Sequence, residues 1–105
     1  MKDESFKEFV LDQLQALEGL ASRRMFGGHG LYLGKSFFGI LYAGRLYFRV
    51  SDATRPAYEQ RGMKPFQPNP RQSLKRYLEV PAEIVESRAD LTAWALEASR
   101  THDDD

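Results

Sequence analysis

Residues 23–34 read RRMFGGHGLYLG, with glycines at 27, 28 and 30 inside a basic and aromatic run. Glycines this close together can cradle a phosphate, or they can let the backbone bend between two strands. The residues C-terminal to them decide. The dinucleotide fingerprint G-x-G-x-x-G needs a third glycine where Leu33 stands, and a helix whose N-terminus faces the pyrophosphate. Here LYLG continues as a two-residue alternation, and no lysine–serine pair completes a P-loop. The glycines are therefore read as a bulge or tight bend. Met25 and Phe26 anchor one strand in the core, and Leu31 or Leu33 anchors the next.

Upstream, Phe6, Phe9, Val10, Leu14, Leu17 and Leu20 recur at helical spacing, and Gly19 supplies a stop. Downstream, SFFGILYA and RLYFRV are short aromatic runs set off by GK and AG turn signals, which predicts an antiparallel meander. SDATRPAYEQRG predicts a short helix capped by Ser51 or Asp52, with Pro56 in its first turn and Gly62 after its end. KPFQPNPRQ, with three prolines, is expected to be an irregular exposed loop. SLKRYLEV reads as a further strand, and residues 81–100 as one or two closing helices with Pro81 at a first helical position. The tail 101–105 is expected to be disordered. The pattern predicts a single α+β domain over 1–105. It has two layers: an N-terminal helix, an antiparallel sheet of about four to five strands, and C-terminal helices on one face.

The chain has 105 residues, 42% hydrophobic and 12% aromatic, enough for one core rather than disorder. It has no cysteine, which removes disulfides, thiolate metal sites and cysteine nucleophiles. The charged N-terminus is neither a signal peptide nor a membrane span, so a cytoplasmic protein is expected. The net charge of zero is unevenly spread. Residues 1–19 carry two lysines against five acids. Residues 20–80 carry eleven Lys or Arg against three acids, and 81–105 two arginines against seven acids. A basic middle between acidic ends fits acidic helices packed beside a basic sheet, or an anionic partner.

Catalysis finds no foothold in these residues. His29 is one of two histidines, the other being His102 in the tail, and no second ligand at metal-binding spacing accompanies it. No serine sits in a nucleophile elbow. Pairs such as Glu4/Glu8 and Glu83/Glu86 read as solvated helix faces. No catalytic residue, cofactor or metal is expected. An enzyme would require a deep pocket near His29 holding a second titratable group.

The strand alternation is more informative. Leu46, Phe48 and Val50 share one face of RLYFRV, and Arg45, Tyr47 and Arg49 the other. In LKRYLEV, Leu74, Arg76, Leu78 and Val80 are placed opposite Lys75, Tyr77 and Glu79. If helices cover the aliphatic face, the other shows arginine, lysine and tyrosine, joined by Tyr32. Arg23, Arg24, Arg45, Tyr47, Arg49, Arg71, Lys75, Arg76 and Tyr77 are the candidate surface. Such a face suits a protein partner or a second copy, since Tyr and Arg are enriched at interfaces. It also suits nucleic acid held by phosphate contact and stacking, or it is simply solvated.

RRMFGGHGLYLG, then FFGIL, RLYFRV, TRPAYEQRGMKPF, YLEVPAEIVE and LTAWALEA, resemble in order the N-terminal domain of the TfoX/Sxy family, from about Phe6 to Ala98. The resemblance implies an α+β fold, helices against an antiparallel sheet. It also implies a regulatory, non-enzymatic role linked to transcriptional control of competence for DNA uptake. Full-length members work with a cyclic-AMP-responsive transcription factor and carry a second, helical domain, for which 105 residues leave no room. The motif carried over is Arg24, Met25, Phe26, Gly27, Gly28, Gly30 and Tyr32. Its role is expected to be mainly structural, with Arg24 the residue placed to touch a partner.

Overall fold

The structure, a computed structural model, describes residues 2–25 and 27–101. Helix α1 (Lys2–Gln13) leads into β1 (Leu20–Met25), β2 (Gly28–Leu33), β3 (Ser36–Tyr42) and β4 (Arg45–Arg49). Next in the chain come helix α2 (Arg55–Glu59), the hairpin β5 (Pro65–Asn69) and β6 (Gln72–Glu79), and helices α3 (Ala82–Val85) and α4 (Arg88–Ser99). The sheet is antiparallel throughout, in the order β1-β2-β3-β4-β6-β5. This is the expected α+β architecture, with six strands where four or five were predicted.

The sixth strand is β5, inside the proline-rich stretch expected to be an irregular loop. Prolines lack an N–H and are tolerated only where no neighbour needs one. β5 lies at the sheet edge, so Pro65 and Pro68 fit there. Phe66 between them is fully buried and fixes the strand. The Asn69 side chain accepts a hydrogen bond from the Arg71 N–H at 2.9 Å and closes the hairpin. The first helix differs in the other direction. Its apolar spacing runs on to Leu20, yet α1 stops at Gln13 and the chain continues in turns. Leu14 and Leu17 stay buried in those turns, with the Leu17 N–H on the Leu14 carbonyl at 2.9 Å. The Gln13 amide donates to the Val85 carbonyl at 3.0 Å and ties this segment to α3. Tertiary contacts, not helix propensity, set that end.

The main core lies between sheet and helices. Val10, Leu14 and Leu17 meet Leu31, Phe38, Leu46, Phe48, Val50, Leu78 and Val80, together with Ile84, Leu91, Ala95 and Ala98 of the closing helices. The β4 alternation is as predicted, with Leu46, Phe48 and Val50 inward. α2 has Pro56 in its first turn, but Thr54, rather than Ser51 or Asp52, is its cap residue. Thr54 and Ser51 exchange hydrogen bonds, Ser51 N–H to Thr54 Oγ1 at 2.9 Å and Thr54 N–H to Ser51 Oγ at 3.3 Å. α4 has a regular cap, the Ser87 hydroxyl accepting from the Asp90 N–H at 3.2 Å. Thr101, first residue of the tail, is buried and donates its hydroxyl proton to the Glu97 carbonyl. The remaining tail, with His102, lies outside the described residues, as does Phe26.

The outer face of the sheet holds a second core. Ile40, Tyr47, Phe66 and Tyr77 are buried there, with Phe37, Tyr42 and Leu74 packed against them. This corrects the expectation that Tyr47 and Tyr77 are exposed on that face. It also corrects the alternation of β6, in which Leu74 joins Tyr77 on the outer side. The pairing with β5 jumps from Pro65↔Leu78 to Phe66↔Leu74, so extra residues in β6 shift the two-residue period. A smaller shift between Leu31 and Tyr32 leaves Phe38 without a partner on β2. Phe37 thereby points outward and Phe38 inward.

Candidate functional site

The candidate site is the β1–β2 hairpin, where each motif glycine has its own steric reason. The strands pair from Leu20↔Leu33 to Met25↔Gly28, leaving residues 26 and 27 as the connection. Gly27 has φ +81°, a left-handed conformation that glycine adopts at little cost. Gly28 lies directly against β3. A Cβ there would overlap the Leu41 carbonyl oxygen. At Gly30 a Cβ would come within 2.6 Å of Met25 Sδ and 2.9 Å of Phe37 Cε1. One glycine turns the chain and the other two admit neighbours. The bend reading of the sequence holds.

The hairpin presents its two arginines on opposite faces. Arg24 stands across from His29 on the helix side, where both line a groove of about 190 Å³ with Glu4, Phe6, Ala43 and Gly44. The Glu4 carboxylate is turned to Lys7 at 3.3 Å, and Arg24 makes no ion pair or hydrogen bond with a described residue. Arg23 lies on the outer side, its guanidinium 5.1 Å from the Tyr32 ring centre. Tyr32 begins an aromatic chain, 5.1 Å to Phe37 and then 5.3 Å to Tyr77. Farther along, Phe66 contacts Tyr42 at 5.3 Å and Tyr47 at 5.0 Å.

The candidate surface thus divides. Arg23, Arg24, Arg45 and Lys75 are exposed, whereas Tyr47, Tyr77 and Arg49 are 8%, 8% and 6% exposed. Arg45 is held by the Glu79 carboxylate at 3.0 Å. Arg49 Nη1 and the Tyr77 hydroxyl both donate to the Phe37 carbonyl, at 3.3 and 3.4 Å. Burial raises the Tyr77 hydroxyl pKa above its ordinary value, opposed by the nearby Arg49 charge. Tyr47 is raised by burial and further by the Glu79 carboxylate. These rings act as core. The sequence reading missed Phe37 and Phe66, which organise that core; their signal was an aromatic at the outward position of SFFG and between the prolines of PFQP.

A second hollow, about 220 Å³, lies between α2 and α4, lined by Thr54, Ala57, Tyr58, Trp94, Glu97 and Arg49. Tyr58 and Trp94 meet there at 4.8 Å. Among the described residues no cluster of three or more His, Asp or Glu could hold a metal ion, and no helix is long and apolar enough to cross a membrane.

The glycine-bent hairpin, the six-stranded antiparallel sheet and the closing helices define a small α+β domain of known kind. The model of the TfoX N-terminal domain matches residues 12–101, and the chain belongs to that family. Comparison with individual curated proteins gives no match.

Proposed function

We propose that this domain is a non-enzymatic regulatory module that docks a protein partner through the exposed arginines of its β1–β2 hairpin. It would act in the cytoplasm, in the transcriptional control of competence for DNA uptake. One observation carries the docking reading: among the described residues the side chain of neither hairpin arginine is engaged by an acid or a carbonyl. Arg45, Arg61 and Arg88 are engaged by Glu79, Glu83 and Asp12, and Arg55 by the Lys75 carbonyl. Among the described residues the Arg23 side chain meets the Tyr32 ring, and Arg24, like Arg71, Arg76 and Arg100, meets no acid or carbonyl through its side chain. Arginine beside tyrosine is the pairing that protein interfaces favour. Nuclease-treated affinity capture from the protein's own cells tests this, comparing wild type with Arg23→Ala/Arg24→Ala. Proteins retained by wild type and lost from the variant support docking. An identical set from both refutes it.

The alternative is nucleic-acid binding, favoured by the charge of the strands and their turns: nine Lys or Arg over 20–49 and 64–79 against the single acid Glu79. The burial of Tyr47 and Tyr77 removes two of the rings that would stack on bases. A salt titration of single- and double-stranded DNA binding distinguishes the readings. Affinity that falls steeply with salt supports this alternative, and none at low ionic strength eliminates it.

A further inference from the structure

The two edges of the sheet are unlike. β5 carries Pro65 and Pro68, which remove two N–H donors from its five residues. β1 has the sequence LASRRM, without proline, and among the described residues is paired on its β2 side alone. The direction of its free groups is set by one bond. The Gly34 N–H donates to the Gly19 carbonyl at 3.2 Å, so positions 19 and 34 form a hydrogen-bonded pair of the antiparallel ladder. Pairs alternate, so Ala21↔Tyr32, Arg23↔Gly30 and Met25↔Gly28 are hydrogen-bonded, and Leu20↔Leu33, Ser22↔Leu31 and Arg24↔His29 are not. The N–H and C=O of Leu20, Ser22 and Arg24 therefore point away from the sheet. No other described backbone group bonds to them.

Resting on the docking role of the hairpin arginines, we propose that the β1 edge accepts an extended acidic peptide of a protein partner as a seventh strand. Main-chain bonds to Leu20, Ser22 and Arg24 supply the pairing. Charge selects the occupant. Arg23 and Arg24 are consecutive and so project from opposite faces of the sheet. The added strand meets both when it carries two consecutive acids, one on each face. A second copy is a poorer occupant. Antiparallel self-pairing about Ser22 sets Arg23 diagonal to its own counterpart on the same face, and like charges there repel.

The test uses the whole chain and the blocked peptide Thr-Val-Glu-Glu-Val-Thr. Binding is followed by amide NMR and hydrogen exchange. Bound peptide is expected to slow exchange at Leu20, Ser22 and Arg24 at least tenfold. The Lys-Lys analogue, and a peptide N-methylated at alternate amides, should bind at least tenfold more weakly. Ser22→Pro removes an outward N–H that the native sheet does not use, and should keep the fold while losing the peptide. Absence of binding at millimolar peptide, unchanged exchange at those three amides, or equal binding of the N-methylated peptide overturns the proposal. A wild-type dimer in light scattering that Ser22→Pro dissociates also overturns it, since the occupant is then a second copy. If the captured partner is lost from Arg23→Ala/Arg24→Ala but kept by Ser22→Pro, docking stands and strand addition falls.

Discussion

Gly28→Ala and Gly30→Ala should destabilise the domain by clearly different amounts, although both glycines lie on β2 and belong to one motif. At Gly28 the new methyl overlaps a backbone atom, the Leu41 carbonyl oxygen, and also comes within 3.2 Å of Tyr42 Cα. Relief requires β2 and β3 to separate next to the His29↔Leu41 pair. Overpacking of this kind costs about 1–3 kcal/mol, and a weakened ladder bond adds about 1 kcal/mol. The expected loss is about 2–4 kcal/mol, toward the upper end because the clash is with backbone, or roughly 8 °C or more in Tm for a chain of this size. At Gly30 the obstacles are the Met25 thioether, at 2.6 and 2.8 Å, and the Phe37 ring edge at 2.9 Å. Methionine repacks easily, so the loss should be about 1–2 kcal/mol. Met25→Ala clears most of this obstruction. The double variant should therefore be at least about 0.5 kcal/mol more stable than the sum of the single losses predicts. Urea unfolding followed by fluorescence of Trp94, the sole tryptophan, measures wild type and all four variants. The steric reasoning fails if Gly28→Ala lies within about 0.5 kcal/mol of wild type. It also fails if Gly30→Ala is the worse of the two, or if Met25 and Gly30 behave additively.

Phe66→Ala should cost about 3–5 kcal/mol by urea unfolding, as a core residue would, because Phe66 packs on Tyr42 and Tyr47 from the edge strand β5. A loss under about 1 kcal/mol would deny the outer cluster its role as a second core. Ser87→Ala removes the acceptor for the Asp90 N–H and should cost about 1 kcal/mol in the same assay. Tyr58 contributes to the alkaline limit. Burial pushes its hydroxyl well above the ordinary value, so the native state holds that proton more tightly than the unfolded chain. The resulting stability is fully present below about pH 10 and drains as pH rises further. Tyr58→Phe should shift alkaline unfolding, followed by circular dichroism, to higher pH; an unchanged midpoint would assign the transition to other groups.

The fold was largely legible because its determinants are local. Hydrophobic period marked the strands of the meander, and the residues after the glycines excluded a phosphate cradle. Reading failed where long-range geometry overrides local signal. KPFQPNPRQ looks like a loop because prolines usually end strands; only its place at the sheet edge makes them harmless. Leu74 was assigned to the inner face because a strict two-residue period cannot foresee extra residues opposite β5. The tyrosines were read as surface because tyrosine suits both water and core; Phe37 and Phe66, distant in sequence, decide which. For the candidate site, the arginines were legible as exposed cations on a strand. Arg49 was not, since its β4 neighbours give no hint that the Phe37 carbonyl lies within its reach.

The inequality of the sheet edges also bears on solubility. Edge-to-edge polymerisation requires each unit to offer two compatible edges, so that every addition exposes a fresh template. With Pro65 and Pro68 on β5, a strand joined at β1 leaves behind an edge that cannot seed the next. Head-to-tail stacking of copies, β1 of one domain on β5 of the next, is thereby blocked, so an unpaired β1 does not by itself make the domain the monomer of a fibre.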